Sequence, residues 1–267
     1  MSLADSHCHL DHQQFHGDVE ALLERAQAAG VEYFLTIGTA DGPPVLDVAI
    51  RLAERFPNVW ATVGVHPHDA SKADARTFDE LRALAKHPKV VAVGEIGLDY
   101  HYDFSPRAVQ SEVFLEQMRI AREVSKPVII HTREAWDDTL AVLTGPGVLH
   151  CFTGNADQAR QAVDLGFHLG FGGVLTFPKS DAVREAARVV PEDRLLLETD
   201  CPYLAPVPFR GKRNEPAYTA HTARKLAEVR GVTEEEIARA TTHNFRELFC
   251  LRGLKLNGYT GASDGPS

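Results

Sequence analysis

Short apolar runs of four to eight residues alternate along this chain with longer stretches in which apolar side chains recur every three or four positions. The short runs have the length and content of buried strands, and the longer ones have the period of helices with one buried face. The first pair is a strand over residues 3–9 and a helix over 18–29. There Val19, Leu22, Leu23 and Ala26 share a face, and Gly30 stands at the expected C-terminal stop. The alternation continues with strands at 32–37, 60–66, 90–95, 127–131, 147–150, 168–171 and 195–198. Helices fall between them at 45–56, 77–86, 106–124, 133–143, 156–165 and 181–189. Eight strands, each followed by a helix, in roughly 250 residues predict one α/β domain, a (β/α)8 TIM barrel over residues 1–254. A doubly wound sheet is the alternative, but no Gly-x-Gly-x-x-Gly follows the first strand. Residues 255–267 turn to Gly, Ser, Asn and Asp with little to bury and read as a flexible tail.

Composition narrows the function classes. With 44% hydrophobic and 24% charged residues, the 267-residue chain has an ordinary globular balance. No run of about 18 apolar residues and no basic-then-apolar leader is present, so a cytoplasmic protein without membrane spans is expected. Cys8, Cys151, Cys201 and Cys250 show no CxxC spacing and read as reduced thiols, with Cys8 and Cys151 pointing away from the strand-end histidines. A formal charge of −9 opposes sequence-blind wrapping of nucleic acid, although a local basic patch remains compatible with it.

The candidate chemistry sits where a barrel would place it. In such a fold the C-terminal ends of the strands form the active face. Strand one ends in His7 and His9, which leave an extended backbone on the same side. Strand three ends in His66, strand four in Glu95, strand five in His131, strand six in His150, and strand eight in Glu198-Thr199-Asp200. Each residue alone reads as a satisfied core or surface side chain. Together they would bury several imidazoles and carboxylates at one mouth, which is costly without a cation. Four imidazoles and two carboxylates suffice for two divalent ions with open positions. The imidazoles suit zinc, manganese or nickel, while phosphodiester chemistry often runs on magnesium or manganese.

Several motifs in order carry a family resemblance. They are Asp-Ser-His-Cys-His-Leu-Asp at 5–11, Gly-Val-His-Pro-His at 64–68, Gly-Glu-Ile-Gly-Leu-Asp-Tyr at 94–100 and Pro-Val-Ile-Ile-His-Thr-Arg-Glu-Ala at 127–135. His-Cys-Phe-Thr-Gly at 150–154, Glu-Thr-Asp-Cys-Pro-Tyr-Leu at 198–204 and Arg-Gly-Lys-Arg-Asn-Glu-Pro at 210–216 complete the set. The chain resembles the TatD family of metal-dependent deoxyribonucleases, within the amidohydrolase superfamily of barrels. The resemblance implies two divalent ions (Mg, Mn or Zn), with His7, His9 and Asp200 on one, His131 and His150 on the other, and Glu95 bridging. Many superfamily relatives bridge with a carbamylated lysine on strand four, where this chain has Glu95.

The implied activity is hydrolysis of DNA, as a 3′-to-5′ exonuclease on single-stranded ends and possibly on RNA, through a metal-bound hydroxide. Asp200 would accept a proton from that water, and His66 would donate a hydrogen bond to a nonbridging phosphate oxygen. Arg210, Lys212 and Arg213, after strand eight, and Arg133, after strand five, are candidate phosphate contacts in an otherwise acidic protein. Tyr203, Phe209 and Tyr100 are candidate stacking partners for bases, with Tyr100 the better candidate for a loop anchor. A monomer is favoured. Two other readings stand: an esterase or amidohydrolase acting on aminoacyl-tRNA, a cyclic amide or a lactone, and a non-catalytic metal-dependent binding module.

Overall fold

A computed structural model describes residues 2–39 and 42–251. The whole of the flexible tail expected over 255–267, and residues 252–254 of the expected domain, lie outside them. Eight parallel strands form one sheet in sequence order: β1 (Leu3–Cys8), β2 (Val31–Thr36), β3 (Val59–Val63), β4 (Val90–Asp99), β5 (Val128–Arg133), β6 (Gly147–Leu149), β7 (His168–Phe171) and β8 (Leu195–Leu197). The helices are α1 (Val19–Ala28), α2 (Val48–Glu54), α3 (Ala75–Leu84), α4 (Arg107–Glu123), α5 (Trp136–Val142), α6 (Ala156–Asp164), α7 (Asp181–Val189), α8 (Thr219–Arg230) and α9 (Glu234–Leu248).

The first and last strands meet at the mouth. Asp200 N donates to His7 O at 2.8 Å, and His9 N donates to Cys201 O at 2.9 Å. Just below, the buried Asp5 carboxylate accepts from Thr199 N at 2.9 Å and from Thr199 Oγ1 at 2.6 Å. The sheet therefore closes as the expected (β/α)8 barrel, and the segments carrying His7, His9 and Asp200 are bonded to one another. Among the described residues no helix is long and apolar enough to cross a membrane.

Two apolar layers hold the barrel. Outward strand side chains such as Leu3, Phe34, Val63 and Ile130 pack with the helices. Inward ones, Ala4, Leu35, Ala92, Ile129, Val148 and Leu196, form a second cluster that Phe245 and Phe249 close with Tyr33 and Trp60. Phe245 lies on α9, so the last helix stoppers the end of the barrel opposite the mouth. α8 and α9 follow the last predicted helix, and the sequence reading sets no bounds for either.

Strand four departs from expectation. It does not stop at Glu95 but runs to Asp99, with a register irregularity between Gly94 and Ile96 and continuing pairs Gly97↔His131, Leu98↔Thr132 and Asp99↔Arg133. Gly97 has φ +141, and a Cβ there would come within 2.0 Å of His131 O. Only glycine admits so close an approach of β5. The extension carries a second carboxylate into the mouth.

His168, at the start of β7, is 9% exposed, and burial together with Arg194 lowers its pKa to about 4. Above pH 6.5 the ring is neutral folded or unfolded. As pH falls below 6.5, the unfolded chain takes up a proton that the fold refuses until about pH 4, so stability is lost across that window. The shift corresponds to roughly 3 kcal/mol. Denaturant titrations of the metal-free protein at pH 7.5 and 4.5 should show a loss on acidification that is smaller by up to about that amount in His168→Leu; equal losses would refute this assignment.

Candidate metal centre

Glu95 is the hub of the mouth. Its Oε1 lies 2.7 Å from His150 Nε2, 3.0 Å from His131 Nδ1 and 3.5 Å from His66 Nε2. Its Oε2 lies 3.5 Å from His7 Nε2. Asp200 Oδ1 faces the other side of the strand-one pair, 3.3 Å from His9 Nε2 and 3.6 Å from His7 Nε2. Three overlapping sets of side chains could each hold a cation: His7, His150 and Asp200; His7, His9 and Glu95; and His66, Glu95 and His131. The structure thus brings together His7, His9, Glu95, His131, His150 and Asp200, and adds His66.

The donor set fits divalent metal. His7 is fully buried, yet neither ring nitrogen makes a hydrogen bond of good geometry, and His150 Nδ1 is likewise unpartnered. Buried polar atoms left without partners are costly, and a cation would satisfy His7 Nε2, which points into the cluster. Burial and the nearby His150 lower the His7 pKa to about 4, and burial lowers His66 to about 4, so both rings are neutral near pH 7. Burial works against the charge on Glu95, but the neighbouring His150 and His66 outweigh it and hold the carboxyl well below its ordinary range. For Asp200, burial is likewise overcome, by the hydrogen bond from His9 and by the electrostatic influence of the surrounding imidazoles. His9 and His131 go the other way. Despite burial, Asp200 raises His9 to about 9, and Asp99 with Glu95 raises His131 to about 9. Imidazoles that ligate must shed those protons, which ties metal uptake to proton release.

Asp99 is the residue that the sequence reading did not assign. Fully buried, it accepts from His131 Nε2 at 3.0 Å and from His68 Nε2 at 2.9 Å through the same oxygen. That contact places the His131 proton on Nε2 and turns Nδ1 toward Glu95. A strand continued past Gly97 would have put residues 95, 97 and 99 on one face, which is the signal that marks Asp99. Outer partners of this type are each worth 10- to 100-fold in metal affinity or activity. Asp99→Asn should therefore cost about 10- to 100-fold in hydrolysis and lower the bound-metal content measured by elemental analysis. Unchanged metal content and rate would reject the orienting role.

Glu198, beside the centre, is fully buried, accepts from Cys151 N at 2.5 Å and lies 3.8 Å from His150 Nδ1. Burial pushes its carboxyl well above the ordinary range. Cys8 is in the layer between strands and helices and donates from Sγ to Leu35 O at 3.3 Å. Cys151 is partly exposed and lines a cleft of about 520 Å³ with Tyr100, Trp136, Asp137, Asp138 and His150. That cleft opens between the ends of β5 and β6, and its wall is acidic.

The expected substrate contacts divide. Tyr203 is 49% exposed at the rim, with its ring 6.1 Å from that of His9 and its hydroxyl 3.2 Å from His12 Nε2. Arg133 is exposed, its guanidinium 4.8 Å over the Tyr102 ring. Lys212 is exposed, and Arg210 lies over Phe177 at 4.4 Å. Arg213 departs from the picture of a free phosphate-binding cation: it donates to Gln14 O at 2.8 Å and Asp18 Oδ2 at 2.9 Å and covers Phe15, so it anchors its own loop. Phe209 is also an anchor, stacked on Tyr218 at 4.1 Å. Tyr100 donates to Asp138 at 2.7 Å beneath Arg107, which accords with the loop-anchor reading. The cause is the same in each case: a loop after a strand must satisfy its own long side chains, and sequence alone does not show which partners lie across the mouth.

Comparison with known proteins follows the same lines. A family model described as TatD related DNase matches residues 4–250. YabD of Bacillus subtilis strain 168, named an uncharacterized metal-dependent hydrolase, is 43% identical over 253 residues, which cover 92% of this chain and 98% of that protein. A protein of Citrobacter rodentium strain ICC168 named 3′-5′ ssDNA/RNA exonuclease TatD is 40% identical over 251 residues, 90% of this chain and 95% of its own. Among solved structures, the Escherichia coli K12 TatD homologue YJJV superposes with a TM-score of 0.87 at 34% identity, over 93% of this chain and 98% of that one. With its barrel closed, its strand-end histidines gathered around Glu95 and this match along nearly its whole length, the chain belongs to the TatD family.

Proposed function

We propose that this protein is a metal-dependent phosphodiesterase that removes nucleotides from the 3′ ends of single-stranded DNA, with RNA as a further substrate. The observation that carries the metal-dependent part is Glu95, whose two oxygens face two different histidine groups. In this reading His7, His9 and Asp200 hold one divalent ion, His131 and His150 hold the second, and Glu95 is shared. Such ions supply a lowered water pKa and positive charge against the phosphate. The nucleic-acid part is supported by the exonuclease name of the Citrobacter relative and by the exposed Arg133, Arg210 and Lys212.

The side chains have separable tasks. Asp200, whose carboxylate is 14% exposed, accepts a proton from the attacking water. His66 Nδ1 accepts from His68 N at 3.2 Å, which leaves the proton of the neutral ring on Nε2 as a donor for a nonbridging phosphate oxygen. Arg133 and Lys212 hold the chain of phosphates, and Tyr203 offers a ring to a base beside His9.

Purified protein supplied in turn with Mn, Mg or Zn should shorten a 5′-labelled single strand into a ladder, and chelation should abolish cleavage until metal is restored. Intact oligonucleotides under all three metals, with a control nuclease active in the same buffer, would sink the reading. A second reading, hydrolysis of an ester such as aminoacyl-tRNA, draws on the acidic cleft beside His150, where Asp137 and Asp138 suit an ammonium group better than a polyanion. Faster turnover of the aminoacyl ester than of the oligonucleotide in parallel assays would favour it.

A further inference from the structure

The loop between β4 and α4 exposes two aromatic rings in a position that burial cannot explain. Phe104 is 67% and Tyr102 48% exposed, yet their rings lie stacked on each other, 5.3 Å apart at 16°. The segment is held firmly. Asp99 Oδ1 accepts from His101 N at 3.0 Å and Tyr102 N at 2.9 Å. The buried Ser105 donates to His68 O at 2.9 Å and accepts from Ser71 N at 3.0 Å. Large apolar rings fixed in water by buried anchors mark a contact surface more than a failed core.

The surface is continuous with the metal centre. The His68 ring meets Phe104 edge-on at 4.8 Å, and its Nε2 shares Asp99 Oδ2 with His131. Three contacts therefore lead from the exposed rings to His131. The Arg133 guanidinium lies 4.8 Å from the centre of the Tyr102 ring, and the residue is exposed, within reach of an anion from solvent. The acidic groups nearby are occupied, Asp103 by Arg107 at 2.9 Å and Glu134 by His101 at 2.7 Å. Arg133 has no carboxylate partner among the described residues.

We propose that Tyr102 and Phe104 form a stacking shelf for the unpaired nucleobase next to the scissile phosphate, with Arg133 contacting the adjoining phosphate. An aromatic face beside a free guanidinium matches the two parts of a single-stranded nucleotide, a base with a π-face and a charged backbone. The shelf rests on the nucleic-acid reading above and gives that reading a residue-level basis for favouring strands whose bases are unpaired.

The test compares wild type with the Tyr102→Ala/Phe104→Ala double variant on a single-stranded oligonucleotide and on the same strand abasic at its two 3′-terminal positions. Base stacking on aromatic side chains implies a fall in kcat/KM of roughly 5- to 150-fold on the intact strand. On the abasic strand the fall should be severalfold smaller, because there is no base to lose. Equal falls on both strands, or none on either, would overturn the shelf. Phe104→Leu, which keeps the apolar bulk without the π-face, should lose the same discrimination, and retention of it would count against stacking. Anisotropy of a labelled, phosphorothioate-capped strand with Mn present separates the two readings. If wild type binds the intact strand more tightly than the abasic one but cleaves neither, the nuclease reading fails while the shelf stands. If wild type does not distinguish the two strands in binding, the shelf fails whatever is cleaved.

Discussion

Glu95→Gln should lose more than about 100-fold in hydrolysis and retain less metal than wild type, since even outer partners of a metal site cost 10- to 100-fold. The substitution preserves shape and removes one lone-pair-bearing oxygen and the charge. In wild type Oε1 serves His131 and His150 while Oε2 faces His7, so an amide can present an acceptor to only one of these sides. The –NH2 group placed on the other side has no lone pair for a cation. The fold itself should survive. Glu95 is only 4% exposed and its histidine neighbours favour its charged form, so Gln there leaves the protonated His131 short of one partner and lowers the stability of the metal-free protein without unfolding it. Elemental analysis, a cleavage assay and thermal melting of the metal-free forms together check this. Loss of metal and activity in a variant that still melts cooperatively, at a lower temperature than wild type, is the expected pattern, and a fully active variant would reject the bridging role.

What the chain disclosed before folding follows from which interactions are local. Strand and helix alternation is written in short apolar runs because each βα unit buries one face against its neighbours, and the eightfold repeat of that pattern leads to the barrel. The gathering of His7, Glu95, His131, His150 and Asp200 was legible because parallel strands in a barrel all end at one mouth. Asp99 was hidden by the glycines around it. The expected strand stops at Glu95, whereas Gly94 and Gly97 let β4 pass close to β5 and the strand runs four residues farther. The loop side chains were least legible. Arg213 reaches Asp18 on the segment that follows the neighbouring β1, and Phe209 finds Tyr218, pairings set by tertiary distance and not by any spacing along the sequence. Tyr102 and Phe104 escaped notice for the same reason: exposure of a ring is a property of the fold, and a Tyr-x-Phe beside a glycine-rich strand looks like core.

Asp200 offers the sharper test of chemistry because its backbone and its carboxylate do different work. The residue has φ +56, its N–H closes the barrel onto His7 O, and its carbonyl accepts from Tyr203 N at 2.9 Å. Non-glycine residues at such angles are strained, with Asn and Asp the best tolerated, and Ala there forfeits about 1–2 kcal/mol. Asp200→Ala therefore mixes a backbone penalty with the loss of the carboxylate. Asp200→Asn keeps the turn and the closure while removing the charge that faces His9 and His7. If the carboxylate both holds a cation and accepts the proton of the attacking water, Asp200→Asn should fall by about 10²- to 10⁴-fold in turnover, the range of a general base. Its melting temperature should stay close to that of wild type, and Asp200→Ala should melt lower at a similar rate loss. An Asn variant within threefold of wild-type activity would remove Asp200 from the chemistry and leave it as the clasp of the barrel. A variant that is inactive but also unfolded would be uninformative on its own, which is why the Asn and Ala forms must be read as a pair: only a carboxylate with a chemical task separates rate from stability in the first and couples them in the second.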